Sequence, residues 1–262
     1  MFFKRNHIEK KIQRLKQIWD DAVAGASEDI EKEAFSLAFE IINADNSIKD
    51  VKWKLAACYN FGIGCDENLV MAKNLFLEIV DDNEYSWIYK LLGNISFDNE
   101  EDDAVMFYSK YLNSHKEDME AVVFLADCYI NGIGVEKDTN KAVELYQSII
   151  GTDYSNNVEF QRSYGLFLAE IESQDSVIWL KKAAEQGCST SACELARQFA
   201  KANYFPFNSW SPTLRINRAI YYLKTAIELG KDENGFTEDG YIAINEYNIL
   251  MAELDLPQRE GE

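Results

Sequence analysis

Two stretches of this chain nearly superimpose when Leu55 is laid on Leu125, and this repeat constrains the fold more than any other feature. The first is LAACYNFGIGCDENLVMAKNLFLEIV, residues 55–80; the second is LADCYINGIGVEKDTNKAVELYQSII, residues 125–150. The shift pairs Ala56 with Ala126, Cys58 with Cys128, Tyr59 with Tyr129, Gly62 with Gly132, Gly64 with Gly134, and Leu75 with Leu145. Half that spacing, about 35 residues, is the length of one helical hairpin. The intervening sequence agrees: Leu92-Gly93 copies the Leu-small pair, and Ala104, Phe107 and Tyr108 copy the second helix. Further units open at Tyr164-Gly165 and Leu195-Ala196 and close at Ile178–Gly187 and Arg218–Gly230.

Each position has a physical reason. Ala72, Leu75, Phe76 and Ile79 fall at i, i+3, i+4 and i+7, a single apolar stripe on a helix. Small residues at Ala56, Gly93, Ala126, Gly165 and Ala196 let two helices of a hairpin approach closely. Tyr59 and Tyr129 supply bulk one turn later, between successive hairpins. The G-x-G pairs stand where the first helix must stop, in a left-handed conformation that glycine adopts freely. Asp138 then serves as N-cap for the next helix. With only 3 prolines in the chain, long helices go uninterrupted.

The pattern L-(G/A)-x-x-Y-x-x-G-x-G, a short acidic loop, then A-x-x-(L/F/W)-(Y/F/L) and a closing A-A-x-x-G resembles the Sel-one-like repeat, a relative of the tetratricopeptide repeat. Residues 51–81 and 117–151 match closely, as does the closing run Trp179, Leu180, Lys182, Ala183, Ala184 and Gly187. Segments 7–44, 84–113, 154–187 and 189–230 are looser copies. Those at 84–113 and 154–187 lack the G-x-G turn, and 189–230 holds an insertion. The resemblance implies an all-α, right-handed superhelical α-solenoid of about six hairpins in a single domain, 1–262, with terminal capping helices. Residues 7–24 and 237–254 are the expected caps, because a solenoid needs elements that hide its open apolar ends. It also implies binding of other proteins or peptides. Family members act as adaptors, and bacterial ones also serve in host interaction and as toxin immunity proteins.

Charge narrows the partner. The formal net charge is −19, but residues 1–16 carry six basic side chains and one acid, so residues 17–262 hold 20 basic against 44 acidic groups. Such a field repels phosphates and attracts basic partners; its alternative meaning is solubility alone. Five cysteines without regular pairing argue against a disulfide framework. The opening segment, Met1 to Lys16, lacks the apolar run of a signal peptide, and no stretch has the length of a membrane span. A cytoplasmic setting is expected, with no membrane partner.

No chemistry is legible. His7 and His115 lack metal-ligand companions at helical spacing, and Cys188 and Cys193 are poorly spaced for zinc. The glycine pairs follow no strand and lack a third glycine, so no nucleotide fingerprint exists. No enzyme activity and no cofactor are expected.

The candidate binding residues are aromatic and charged. Tyr204, Phe205, Phe207 and Trp210 crowd the insertion at 203–213, either as partner contacts or as filling for the groove. Lys54, Asp127 and Glu194 fall on the expected inner faces of first helices. The run Asp98 to Asp103 replaces a missing turn and reads as a solvated loop. The leading expectation is a scaffold for a basic protein or peptide, in its sharpest form an immunity protein that masks a basic toxin. The alternatives are a membrane-peripheral adaptor using the basic segment from Met1 to Lys16, and a helical-repeat enzyme or nucleic-acid binder.

Overall fold

In the computed structural model the backbone is described for residues 2–80, 83–200, 211–232 and 235–259. The chain is all-α: helix follows helix in antiparallel hairpins, and the only strand pairing among the described residues joins Lys231–Asp232 to Gly235–Phe236. It divides into two compact units, Met1–Asp138 and Thr139–Glu262.

The first unit contains α1 (Phe2–Val23), α2 (Glu28–Ala44), α3 (Lys49–Phe61), α4 (Leu69–Leu77), α5 (Ile88–Asp98), α6 (Ala104–Ser114) and α7 (Met119–Asn131). Side chains start three of these helices. Ser27, Asn68 and Asp118 accept the backbone N–H of Ile30 (3.3 Å), Met71 (3.0 Å) and Ala121 (3.1 Å). Each such cap stabilises its helix by about 1 kcal/mol. Asn68 occupies the position that Asp138 holds in the second copy. The turn is closed identically in both, by Asn68 N–H donating to Tyr59 O (2.7 Å) and Asp138 N–H to Tyr129 O (2.9 Å).

The two glycines of each G-x-G have separate tasks. Gly62 and Gly132 end their helices in the left-handed conformation, at φ 68° and 77°, which fits the expectation. Gly64 and Gly134, at φ 68° and 69°, touch the preceding hairpin. A β-carbon on Gly64 would lie 2.1 Å from the carbonyl oxygen of Glu31, and one on Gly134 would lie 2.5 Å from that of Asp102. The second glycine therefore sets how closely one hairpin stacks on the last. Tyr59 adds to that junction by meeting the ring of Phe35 edge-on at 5.5 Å.

The small residues behave as expected. Ala56 and Ala126 are fully buried. A β-carbon on Gly93 would stand 2.8 Å from the ring of Tyr108. The core runs through Ala34, Ala38 and Ile41 of α2, Leu55 and Ala56 of α3, Phe76 of α4, and Leu92 of α5.

The second unit contains α8 (Thr139–Ile149), α9 (Val158–Glu170), α10 (Ser176–Glu185), α11 (Ser189–Ala200), α12 (Pro212–Leu229) and α13 (Glu238–Arg259). Tyr146 of α8 packs against Tyr164 (5.1 Å) and Phe167 (5.5 Å), while Trp179 meets Phe160 edge-on at 5.4 Å. Gly165 faces Leu180 across the α9–α10 hairpin as Gly93 faces Tyr108. Helix α12 begins inside the sequence insertion: Pro212 fills its first turn, where a missing N–H costs nothing, and Ser211 caps it through Leu214 N–H (3.2 Å). Helix α13 lies on α11 and α12. Ala243 is buried there, Arg197 binds Glu246 at 3.0 Å, and Asp239 accepts hydrogen bonds from Ser189 (2.9 Å) and Thr190 (2.8 Å).

Candidate interaction surface

Three lysines of the first unit share one arrangement. Lys54 of α3 is 6% exposed; its ammonium lies 4.3 Å from the centre of the Trp53 indole and 2.9 Å from Asp50. Lys73 of α4 reaches out of its own hairpin to Glu101 and Asp103 (3.2 Å), with the Phe107 ring 5.5 Å away. Lys90 of α5 reaches Asp118 (2.8 Å) and Glu120 (2.6 Å) at the start of α7, with the Tyr111 ring at 5.8 Å. Each ammonium is seated by one or two aromatic rings and one or two carboxylates. A partly desolvated cation is held well by this combination, because the negative face of the ring adds to the ion pair. Burial alone would lower the pKa of Lys73 and of Lys90, but the hydrogen-bonded carboxylates overcome it and both are raised. Asp118 shows the converse: burial pushes it up, yet Lys90, the Tyr111 hydroxyl and the Ala121 amide hold it below the usual carboxylate range.

The Lys54 seat belongs to a tryptophan ladder. Trp19 of α1, Trp53 of α3 and Trp87, at the N-cap of α5, meet edge to face at 5.3 Å and 5.6 Å. Trp19 is buried and Trp87 is 37% exposed. Their regular placement at 19, 53 and 87, one hairpin length apart, is visible in the sequence and was not among the expected signals.

The expected contacts fall in different settings. Lys54 is packed as described and its charge is matched internally. Asp127 is half-buried on α7, where its carbonyl accepts from the Asn131 amide at 3.0 Å. Glu194 is half-buried on α11 and pairs with Arg197 at 3.4 Å, the same arginine that holds α13. Tyr204, Phe205, Phe207 and Trp210 lie outside the described residues. The acidic run 98–103 is not a plain solvated loop, since Glu101 and Asp103 are tied to Lys73. Asp98, Glu100 and Asp102 remain exposed.

Cys58 and Cys128 are fully buried, and desolvation pushes both thiols up to about 12, so they are protonated packing groups. His115 stacks on Tyr111 at 4.3 Å and closes the end of α6. Among the described residues no helix is long and apolar enough to cross a membrane.

Comparison with known proteins agrees with this architecture. The Sel1 repeat model matches residues 51–79, 120–149, 172–188 and 212–231. Among solved structures the chain is similar to a protective antigen of uropathogenic Escherichia coli strains that displays an SLR fold. There the TM-score is 0.53 at 20% identity, over 77% of this chain and 42% of that one. It is also similar to a Sel1 repeat protein from Oxalobacter formigenes, with a TM-score of 0.50 at 18% identity, over 74% of this chain and 76% of that one. The chain thus spans less than half the length of the Escherichia coli antigen. At these identities the likeness is one of fold. No curated protein matches the sequence. Sel1 repeat proteins generally act as scaffolds for protein–protein interaction and are typically not enzymes. Four segments of this chain thus match the Sel1 repeat model, and its fold is similar to that of solved Sel1 repeat proteins.

Proposed function

We propose that this chain is a non-enzymatic scaffold that captures a basic protein or peptide. The observation that carries the reading is the charge balance, 20 basic against 44 acidic side chains over residues 17–262. The structure sharpens it. Lys32, Lys52, Lys54, Lys73 and Lys90 are all paired with carboxylates of the same unit, so the surplus acids are the ones left to face a partner. Electrostatic attraction of this kind speeds capture, discriminates against acidic competitors, and weakens with salt. Asp127, Glu194 and the aromatic residues Tyr204, Phe205, Phe207 and Trp210 are the proposed contacts beside it. In the sharpest form of the proposal the partner is a basic toxin whose surface this chain masks.

Capture on the immobilised full chain from native lysate, at an ionic strength of about 0.15 M with identification by mass spectrometry, tests the reading. The expected result is a predominant basic partner that elutes as salt rises. An acidic partner, or one whose retention ignores salt, contradicts it. For the toxin form, co-expression must protect cells from the captured protein; unprotected cells remove that form and leave the scaffold.

A further inference from the structure

At the ends of α5 and α7 the structure holds an open cleft of about 570 Å³ lined by Phe97, Asp98, Glu100, Asn131, Gly132 and Ile133. We infer that this cleft is a seat for a lysine or arginine side chain of the partner, on Phe97 between Asp98 and Glu100.

The strongest argument comes from the protein's own lysines. Lys54, Lys73 and Lys90 each occupy a ring flanked by carboxylates. Phe97 with Asp98 and Glu100 offers the group of one ring and two carboxylates found around Lys73 and Lys90. Among the described residues, however, no lysine or arginine pairs with either acid or stacks on that ring. Lys137 rests its stem against Gly132 and makes no ion pair with them. Phe97 is itself fixed edge-on by Phe124 at 5.4 Å, so its ring is a rigid floor. Asn131 is anchored through Asp127 O at 3.0 Å. Both helices end at the cleft, and the negative ends of their dipoles add to the carboxylates. Ile133 completes an apolar wall suited to an aliphatic stem.

This seat rests on the reading of a basic partner, and the experiment separates the two. A fluorescein-labelled octalysine peptide is titrated with the full chain and followed by anisotropy, with a Gly-Ser peptide of equal length as control. The variant D98N/E100Q is compared with D66N/E67Q, which removes equal charge from the exposed turn between α3 and α4. Urea melts confirm that both variants fold. The expected result is a loss of affinity of about tenfold for D98N/E100Q and under about threefold for D66N/E67Q. Equal weakening by the two variants, or none by D98N/E100Q, overturns the seat while leaving the basic-partner reading to the lysate capture. Failure of the unaltered chain to bind octalysine also overturns the seat.

Discussion

Glu100 and Glu172 hold the same left-handed backbone, at φ 53° and 56°, in the two hairpins that lack a G-x-G turn. In both, the last helical turn closes with the paired bonds of a Schellman motif. Glu101 N–H reaches Ser96 O (2.7 Å) and Glu100 N–H reaches Phe97 O (3.0 Å); Ser173 N–H reaches Leu168 O (2.8 Å) and Glu172 N–H reaches Ala169 O (3.1 Å). The shortened loop is thus a tight turn in which glutamate does what glycine does elsewhere. Left-handed backbone costs a residue with a β-carbon about 1–2 kcal/mol, and glycine returns part of that as chain entropy. Glu100→Gly and Glu172→Gly should therefore each stabilise their unit by about 0.5–1 kcal/mol in urea denaturation. A loss of stability from either substitution contradicts the assignment.

The second glycine of each G-x-G should tolerate nothing larger. Gly64→Ala places a methyl group against the carbonyl of Glu31 and also keeps φ at 68°. The expected loss is about 2–4 kcal/mol, from conformational strain and overpacking together. Gly151→Ala is the control, because it has φ 92° and nothing within 4 Å of the added carbon. It should lose only about 1–2 kcal/mol. Equal losses would show that Gly64 has no packing role.

Lys73 joins α4 to the turn before α6, so its removal leaves Glu101 and Asp103 facing each other without a cation. Lys73→Met should destabilise the first unit by about 1–2 kcal/mol. The triple variant K73M/E101Q/D103N should recover most of that loss. If the triple variant is no better than K73M, the lysine acts through its stem and not its charge.

Asp118 gives a pH signature. Its folded pKa lies below the unfolded value, so the stability it contributes is complete above the unfolded carboxylate pKa of about 3.9. That contribution disappears as pH falls through the folded value. Thermal melts between pH 6 and pH 2 should show a shallower acid limb for Asp118→Asn than for the unaltered chain. Parallel limbs would assign the acid sensitivity elsewhere.

Much of the fold could be read from residue spacing, because the spacing is a direct imprint of helix geometry. The Leu-small pairs, the apolar stripes and the glycine that stops each first helix all act within a few residues of themselves. What was not readable acts across the stack. The contact of Gly64 with Glu31 joins positions a whole hairpin apart in the chain, and Lys73 meets Glu101 and Asp103 from nearly as far. Such pairs exist only once two hairpins pack, so the acidic run 98–103 looked like simple surface. The start of α12 at Pro212 was legible in principle from Ser211 and Pro212, a cap and first-turn proline hidden within an aromatic-rich insertion. The ring-and-carboxylate seats escaped notice for the same reason as the long-range pairs: sequence gives the charges but not which ring lies beneath them.

Residue-resolved hydrogen exchange of the Asn68 and Asp138 amides tests most directly whether the two glycine-bearing turns are one structural device used twice. Bonded to Tyr59 and Tyr129, both amides should exchange at rates close to those of the buried helical amides around them, although each precedes the regular helix that follows. Rapid exchange at either position, at the rate of an open loop, would contradict the repeat-locked stack on which the scaffold depends.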